Sequence, residues 1–175
     1  MITIISGTNR KLSNSSIFAK EIEALLIGKN ETCKVLNLEH LPNDFAFDNE
    51  VFGNSDAPLN EIAEEYISKS DKFVFVIPEY NGSFPGALKA FIDAFSPDRI
   101  KGKKALLIGI SSGRAGNLRG LDHFTGVMNY LNIHVLPMKV AISHCHTLID
   151  FKTKRVNDEK TIELLKEQID LLLTS

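Results

Sequence analysis

The sequence predicts a doubly wound α/β fold, in which one parallel sheet carries helices on both faces. Short runs of β-branched and aromatic residues, of which 73–77 is the most apolar, indicate strands that are buried on both faces. Apolar stripes at helical spacing alternate with these runs from end to end. No repeat, linker or low-complexity tract interrupts the alternation, so we expect the 175 residues to form a single domain over 1–175.

The alternation predicts five strands and five helices. The strands are expected at 2–5, 34–38, 73–77, 105–110 and 134–137. The helices are expected from five apolar stripes: Phe18, Ile22, Leu25 and Leu26; Leu59, Ile62, Ala63, Tyr66 and Ile67; Leu88, Phe91, Ile92 and Phe95; Leu121, Phe124, Met128 and Leu131; and Ile162, Leu165, Ile169 and Leu172. Residues 42–58 show no period, because Asn, Asp, Gly and Pro break it, and they are expected to form an ordered surface loop.

Five strands of this kind adopt one of two common orders. One of them is the flavodoxin-like order 2-1-3-4-5, a three-layer α/β/α sandwich whose switch point lies between strands 1 and 3. Open sheets bind ligands there, beyond the carboxyl ends of the strands. The predicted order therefore brings the first loop (residues 6–15) beside the second loop (residues 78–86), with the third loop (residues 111–116) close by.

The first loop has a composition that suits a phosphate group. Hydroxyls at Ser6, Thr8, Ser13 and Ser15 accompany Arg10, and a helix N-terminus follows at once, with its N-cap expected among residues 13–15. Backbone N–H groups at a helix start carry partial positive charge, and a guanidinium can donate two parallel hydrogen bonds. For the hydroxyls alone, a solvated, serine-rich N-cap is the competing interpretation.

The second loop has a composition that suits a flat ligand. Asn81 and Gly82 permit positive φ angles, and Gly82 lets a planar molecule approach the main chain. Tyr80 supplies an aromatic surface beside it. A tight connection from strand to helix that binds nothing is the alternative for this loop taken by itself.

Composition and missing motifs exclude several other classes. The net charge of -2, with both signs dispersed, argues against a nucleic-acid binder and favours small-molecule partners. The first loop lacks the P-loop motif, the Gly-x-Gly-x-x-Gly spacing and a cysteine nucleophile, and no Gly-x-Ser-x-Gly elbow follows a strand. His144, Cys145 and His146 alternate in too short a span for one tetrahedral site, so no metal is expected.

The cellular setting is expected to be cytoplasmic. The chain opens without a basic segment or a cleavage site, and it has no apolar run near the roughly 20 residues that a membrane helix needs. Its two cysteines, Cys33 and Cys145, are too few and too isolated for a disulfide framework and are expected to be reduced.

Three motifs together resemble the NAD(P)H-dependent FMN reductase family. Residues 7–15, Gly-Thr-Asn-Arg-Lys-Leu-Ser-Asn-Ser, are similar to its phosphate loop, Gly-Ser-x-Arg-x-x-Ser. Residues 78–83, Pro-Glu-Tyr-Asn-Gly-Ser, with Pro85, Gly86, Leu88, Lys89 and Asp93 downstream, resemble its flavin loop. Ser111-Ser112-Gly113-x-x-Gly116 is similar to its third loop. The match extends from residue 1 to about 137, and each motif follows a predicted strand.

The resemblance implies a cofactor, its site and an activity. It implies non-covalently bound FMN that NADPH or NADH reduces and that passes electrons to a small acceptor such as free flavin or a quinone, with no catalytic side chain. It also implies a homodimer or homotetramer. The cofactor-binding residues that it implies are Thr8, Arg10, Ser13, Asn14 and Ser15 around the phosphate, Pro78, Glu79, Tyr80, Asn81, Gly82 and Ser83 against the ring, and Ser112 and Gly113 at its far edge.

Departures from the family pattern keep two other functions open. Thr8 replaces the serine that is commoner in the family, and the chain has no tryptophan. Asn117 stands where relatives are richer in glycine, and this difference could change the width of the nicotinamide site. A flavodoxin-type electron carrier would hold FMN without that site, although such carriers are usually far more acidic than -2. A flavin-binding module with little reductase activity is the other alternative.

Arg114 and Arg119 are candidates for contact with the phosphates of the nicotinamide nucleotide.

Overall fold

The computed structural model describes residues 1–42, 44–48, 52 and 59–175. Its sheet has the strand order β2-β1-β3-β4-β5, with all of these strands parallel, which confirms the predicted flavodoxin-like order. The strands are β1 (Ile2–Ser6), β2 (Cys33–Asn37), β3 (Lys72–Pro78), β4 (Lys104–Ile110) and β5 (His134–Val135).

Helices cover both faces of the sheet. They are α1 (Asn14–Gly28), α2 (Phe45–Asp48), α3 (Asn60–Ala63), α4 (Gly86–Asp93), α5 (Leu118–Tyr130) and α6 (Glu159–Thr174). Along β3, Phe73, Phe75 and Ile77 enter one core with α4 and α5, whereas Val74 and Val76 enter the other with α1 and α6. Successive side chains of a strand point to opposite faces of the sheet, so both faces of β3 are buried. This explains why its sequence is apolar throughout.

The last predicted strand is interrupted. The sequence predicted one strand at 134–137, but β5 ends at Val135, and β6 (Val140–Ile142) then pairs in parallel with β4. Pro137 lacks an N–H and cannot donate to a ladder, so the strand breaks there. The prediction of a single strand was therefore wrong in its extent.

Two predicted segments contain structure of another kind. The stripe over 59–67 predicted one α-helix, but α3 passes into a π-helical turn at Glu64–Ser68. The surface loop predicted at 42–58 includes the short helix α2, which buries Phe45, and Phe52 donates its N–H to the Asp93 carbonyl at 2.8 Å. Residues 43, 49–51 and 53–58 lie outside the described part of the chain.

A short hairpin precedes the last helix and has no counterpart in the sequence analysis. Its strands, β7 (Ile149–Asp150) and β8 (Arg155–Val156), are too short for an alternating pattern to be visible. The Arg155 guanidinium donates to both carboxylate oxygens of the buried Glu21 at 2.7 and 2.9 Å, and this pairing raises the pKa of Arg155. The bidentate ion pair fixes the hairpin to α1.

The N-cap of α6 gives a test of the fold. The Asp158 carboxylate accepts from the Thr161 hydroxyl at 2.7 Å and from the Thr161 N–H at 2.8 Å, and these bonds lower the pKa of Asp158. We expect Asp158→Ala to lower the free energy of unfolding by about 1 kcal/mol, because an orphan N–H loses its acceptor. Asp158→Asn keeps a side-chain oxygen as an acceptor, so this variant should lose less free energy of unfolding than Asp158→Ala.

The same cap predicts a pH dependence. A carboxylate whose pKa is lowered by folding stabilises the protein above its unfolded pKa, and the contribution is lost as the pH falls through the folded pKa. Urea unfolding should therefore show the difference between wild type and Asp158→Asn shrinking below about pH 4. A difference that stays constant into acid would contradict the assigned cap.

Candidate functional site

The three loops meet in one cleft at the carboxyl ends of β1, β3 and β4. The enclosed part of the cleft measures about 190 Å³. Its lining residues are Arg10, Leu12, Ser13, Asn14, Pro78, Glu79, Tyr80, Ile110, Ser111, Ser112 and Cys145. Seven of the residues predicted for the cofactor are in this set, namely Arg10, Ser13, Asn14, Pro78, Glu79, Tyr80 and Ser112. An enclosed volume this small leaves part of a flat, drug-sized ligand in contact with solvent.

A network of hydroxyls shapes the first loop. Ser13 is the N-cap of α1, and its Oγ accepts from the Ser16 N–H at 3.3 Å. The Ser15 Oγ lies 2.9 Å from the Ser13 Oγ and accepts from the Ser6 Oγ at 3.2 Å. Ser6 and Ser15 are fully buried, so their hydroxyls support the loop from beneath, whereas Arg10 is exposed at its surface.

Thr8 joins the first loop to the second. Its hydroxyl accepts from the Arg10 N–H at 3.2 Å and shares a hydrogen bond of 2.8 Å with the Tyr80 hydroxyl. Thr8 is fully buried, like Ser15, and neither residue lines the enclosed cleft. Thr8 and Ser15 therefore lie beneath the surface of the loops, whereas Arg10, Ser13 and Asn14 lie at the surface of the cleft.

The second loop is a tight turn with two free donors at its tip. The Tyr80 N–H donates to the Ser83 carbonyl at 2.9 Å, and the Ser83 N–H donates to the Tyr80 carbonyl at 3.1 Å. Asn81 and Gly82 have φ angles of 51° and 77°, as a type I′ turn requires. Tyr80 and Ser83 thus use their N–H groups within the turn, so of the loop's N–H groups over 80–83 those of Asn81 and Gly82 are left for a ligand.

The helix α5 supports this turn from below. A Cβ at Gly120 would lie 2.8 Å from the Ser83 carbonyl carbon and would also collide with the Asn117 side chain, so only glycine allows the helix to approach this closely. Ser83 Oγ and His123 Nδ1 are 2.9 Å apart. The turn is therefore held between α5 and the end of β3.

Asn117 has a structural role rather than a position in the cleft. It is buried, adopts a φ of 65°, and donates its side-chain N–H to the Ile77 carbonyl at 3.0 Å. Asn117 therefore contacts the end of β3 and is not among the residues that line the cleft. Arg119 lies next to the turn instead, since a Cβ at Gly82 would be 3.0 Å from its guanidinium.

The third loop is closed by a serine. The Ser111 hydroxyl donates to the Gly113 carbonyl at 2.9 Å and accepts from the Gly116 N–H at 3.0 Å. These bonds leave Ser112 at the surface of the cleft and place Gly113 directly after it. Arg114, the other predicted arginine, is exposed on the same loop.

Cys145 lines the cleft and was not predicted to do so. Its N–H donates to the Ser111 carbonyl at 2.9 Å, and its sulfur accepts from the Asn14 side chain at 3.5 Å. Burial raises the pKa of the Cys145 thiol, so the neutral form faces the cleft. His144 and His146 are exposed, and no group of three potential metal ligands occurs among residues 1–42, 44–48, 52 and 59–175. Only tertiary structure could place Cys145 here, because it is far along the chain from all three loops.

Comparison with known proteins identifies the family. A family model described as NADPH-dependent FMN reductase matches residues 1–147. The chain belongs to the NADPH-dependent FMN reductase family. An NAD(P)H-dependent FMN reductase of Pseudomonas aeruginosa is 30% identical over 172 residues, which cover 96% of this chain and 90% of the relative. A quinone reductase of Escherichia coli K12 is 27% identical over 173 residues, with the same two coverages.

A solved structure agrees with the fold. The apo form of an NADH:FMN oxidoreductase superposes with a TM-score of 0.78 at 21% identity and covers 98% of this chain and 87% of its own. Family membership confirms the predicted activity class, an oxidoreductase that uses FMN and NAD(P)H. Among the helices that the structure describes, none has the length and hydropathy of a membrane span.

Two glycines of α5 provide a matched test of the support beneath the turn. Gly120→Ala should lower the free energy of unfolding by about 2 kcal/mol and displace the turn, because its Cβ meets the Ser83 main chain. A Cβ at Gly126 would have no neighbour within 4 Å. Gly126→Ala should therefore raise the free energy of unfolding by about 1 kcal/mol, because alanine has the higher helix propensity. Denaturant unfolding and FMN titration of both variants check this, and equal behaviour of the two would contradict the described packing.

Proposed function

We propose that this chain seats FMN across its three loops, accepts hydride from NADPH or NADH, and delivers it to a small acceptor such as a quinone or free flavin. The observation that carries the proposal is the meeting of the α1 N-terminus with the Tyr80–Ser83 turn in one cleft. One part of the cleft suits a phosphate and the other suits a planar ring. Thr8 and Tyr80 join the two parts by a hydrogen bond of 2.8 Å and so fix their separation.

The phosphate end is proposed at Arg10, Ser13 and Asn14. Ser13 caps α1, so the helix directs its unpaired N–H groups and its partial positive charge toward the cleft. Arg10 is exposed and can donate two hydrogen bonds to phosphate oxygens. Thr8 and Ser15 belong to this end as buried hydroxyls that hold the loop in shape.

The ring is proposed against the second loop, from Pro78 and Glu79 to Ser83. The Asn81 and Gly82 N–H groups can donate to the ring carbonyls and nitrogens, and the absence of a Cβ at Gly82 allows a close approach. Ser112, which lines the cleft, and Gly113, the next residue along the chain, are proposed to lie at the far edge of the ring. When bound, FMN supplies the hydride chemistry, and the chain supplies binding and orientation without an acidic or basic side chain.

The open side of the cleft is proposed as the entrance for both substrates. The nicotinamide nucleotide and the acceptor would use it in turn, because both would have to reach the same exposed face of the flavin. Arg119, beside Gly82, and the exposed Arg114 are proposed to contact the nucleotide phosphates. The names of the relatives, an FMN reductase and a quinone reductase, support acceptors of this size.

The proposal extends to assembly and location. We propose a homodimer or homotetramer in the cytoplasm, with residues 1–175 acting as one domain. A groove of about 700 Å³ beside α4 and α5, with Tyr130 86% exposed at its edge, supports an interface on that side. The two cores share one sheet, which supports a single domain.

The phosphate assignment predicts a difference between two flavins. Arg10→Ala should weaken FMN about tenfold to a hundredfold, since a hydrogen bond to a charged group is lost, and should leave riboflavin almost unchanged because it has no phosphate. Lys11→Ala removes a neighbouring exposed charge and should change FMN affinity less than about threefold. Fluorescence titration measures both flavins, and an equal loss for both would show that the phosphate lies elsewhere.

The reductase proposal predicts spectral changes under anaerobic conditions. Adding NADPH or NADH to the FMN-loaded protein should bleach the flavin absorbance, and a quinone added afterwards should restore it. Bound flavin that neither nucleotide bleaches would contradict the reductase and leave an electron carrier or a flavin-binding module. Bleaching by only one nucleotide would identify the hydride donor.

A further inference from the structure

A second groove adjoins the cleft on the far side of the first loop. This hairpin groove has a volume of about 350 Å³ and lies between α1, the end of β2 and the β7–β8 hairpin. Leu12 and Ser13 line both the hairpin groove and the cleft, so the two spaces are separated only by the first loop. The hairpin follows residue 147, where the match to the family model ends.

We propose that the hairpin groove holds the adenosine monophosphate half of FAD, so that this chain accepts the dinucleotide flavin as well as FMN. The inference rests on the proposed function, because it assumes that the flavin phosphate lies at the N-terminus of α1. A substituent on that phosphate can leave it past Leu12 or Ser13, because these two residues line the hairpin groove as well as the cleft. Continuity of the two spaces therefore favours one connected ligand.

The charge of the hairpin groove suits a second phosphate. Lys20 on α1 and Lys154 on the hairpin line it, and neither forms an ion pair with a described residue. Glu39 is the opposing carboxylate, and it accepts from the Leu12 N–H at 3.2 Å. Two ammonium groups against one carboxylate leave a net positive charge in the groove, which attracts a diphosphate more strongly than a neutral ligand.

Acceptors at the end of β2 suit a nucleoside. Glu39 lines the hairpin groove, and its carboxylate can accept further hydrogen bonds beside the one from the Leu12 N–H. A ribose hydroxyl or an adenine amino group can donate them. Asn37 and Glu39 stand at the end of the second strand, next to the strand that leads into the phosphate site, where doubly wound folds hold the ribose of a dinucleotide.

The apolar part of the hairpin groove suits a flat base. Phe151 at the tip of the hairpin is 59% exposed, and Leu12 is 83% exposed on the opposite side. The ion pair between Arg155 and Glu21 fixes the hairpin, and Asp150 accepts from the Lys152 N–H at 2.8 Å within its turn. An exposed phenyl ring on an anchored hairpin is a stacking surface for adenine.

Titration of the full-length apoprotein with FMN and with FAD tests the proposal. Wild type should bind FAD at least as tightly as FMN. Phe151→Ala and Lys20→Ala should each weaken FAD about fivefold or more, through lost stacking or lost charge, and change FMN less than about twofold. The matched control is Lys152→Ala, which removes an exposed charge from the same hairpin outside the groove and should leave both affinities unchanged.

Three results would overturn the proposal. The first is FAD binding at least tenfold weaker than FMN to wild type, and the second is an equal effect of Phe151→Ala on both flavins. The third is that free AMP binds to the FMN-loaded protein although FAD binds no more tightly than FMN. That result would assign the groove to a separate nucleotide. If FMN binds and NAD(P)H bleaches it in the same preparations, any of these results removes only the FAD assignment, whereas failure of FMN to bind removes the proposed function.

Discussion

Both faces of the sheet are buried, and this constraint decides where the chain can bind a ligand. Residues of β3 enter two separate cores, so neither face is free and only the ends of the strands remain. After β1 the chain crosses to one face through α1, and after β3 it crosses to the opposite face through α4. Because β1 and β3 are neighbours, a cleft opens between the loops that follow them. The proposed phosphate end and the proposed ring end of the site lie on the two sides of this cleft.

The cleft is shaped by hydrogen bonds within its loops and by packing beneath them. Ser6 and Ser15 hold the first loop from beneath, Ser111 closes the third loop, and Gly120 allows α5 to support the turn of the second loop. These groups fix the donors before a ligand arrives, which lowers the cost of ordering them on binding. The same principle extends to the hairpin groove, where an ion pair between Arg155 and Glu21 positions the hairpin.

The sequence was sufficient for the strand order and for the three loops that meet in the cleft, because periodicity and turn chemistry are local properties. The apolar run of β3 and the Asn81-Gly82 pair are visible without any tertiary information. Local patterns did not reveal which hydroxyls face the cleft. Thr8 and Ser15 differ from Ser13, which lines the cleft, only in being fully buried, and burial is a property of the tertiary structure. Nor did they reveal Cys145, which β6 brings to the third loop, or the two-residue strands of the hairpin. The break at Pro137 was visible in principle, because proline cannot donate to a ladder.

Amide chemical shifts of the isotope-labelled apoprotein, recorded with riboflavin and then with FMN, test the central claim most directly. If the ring lies against the second and third loops, riboflavin should shift the amides of Asn81, Gly82, Ser112 and Gly113. FMN should shift the same amides and, in addition, those of residues 9–15, because only FMN carries a phosphate for the α1 N-terminus. Identical shift patterns for the two flavins, or shifts confined to the surface of α4 and α5, would contradict the account.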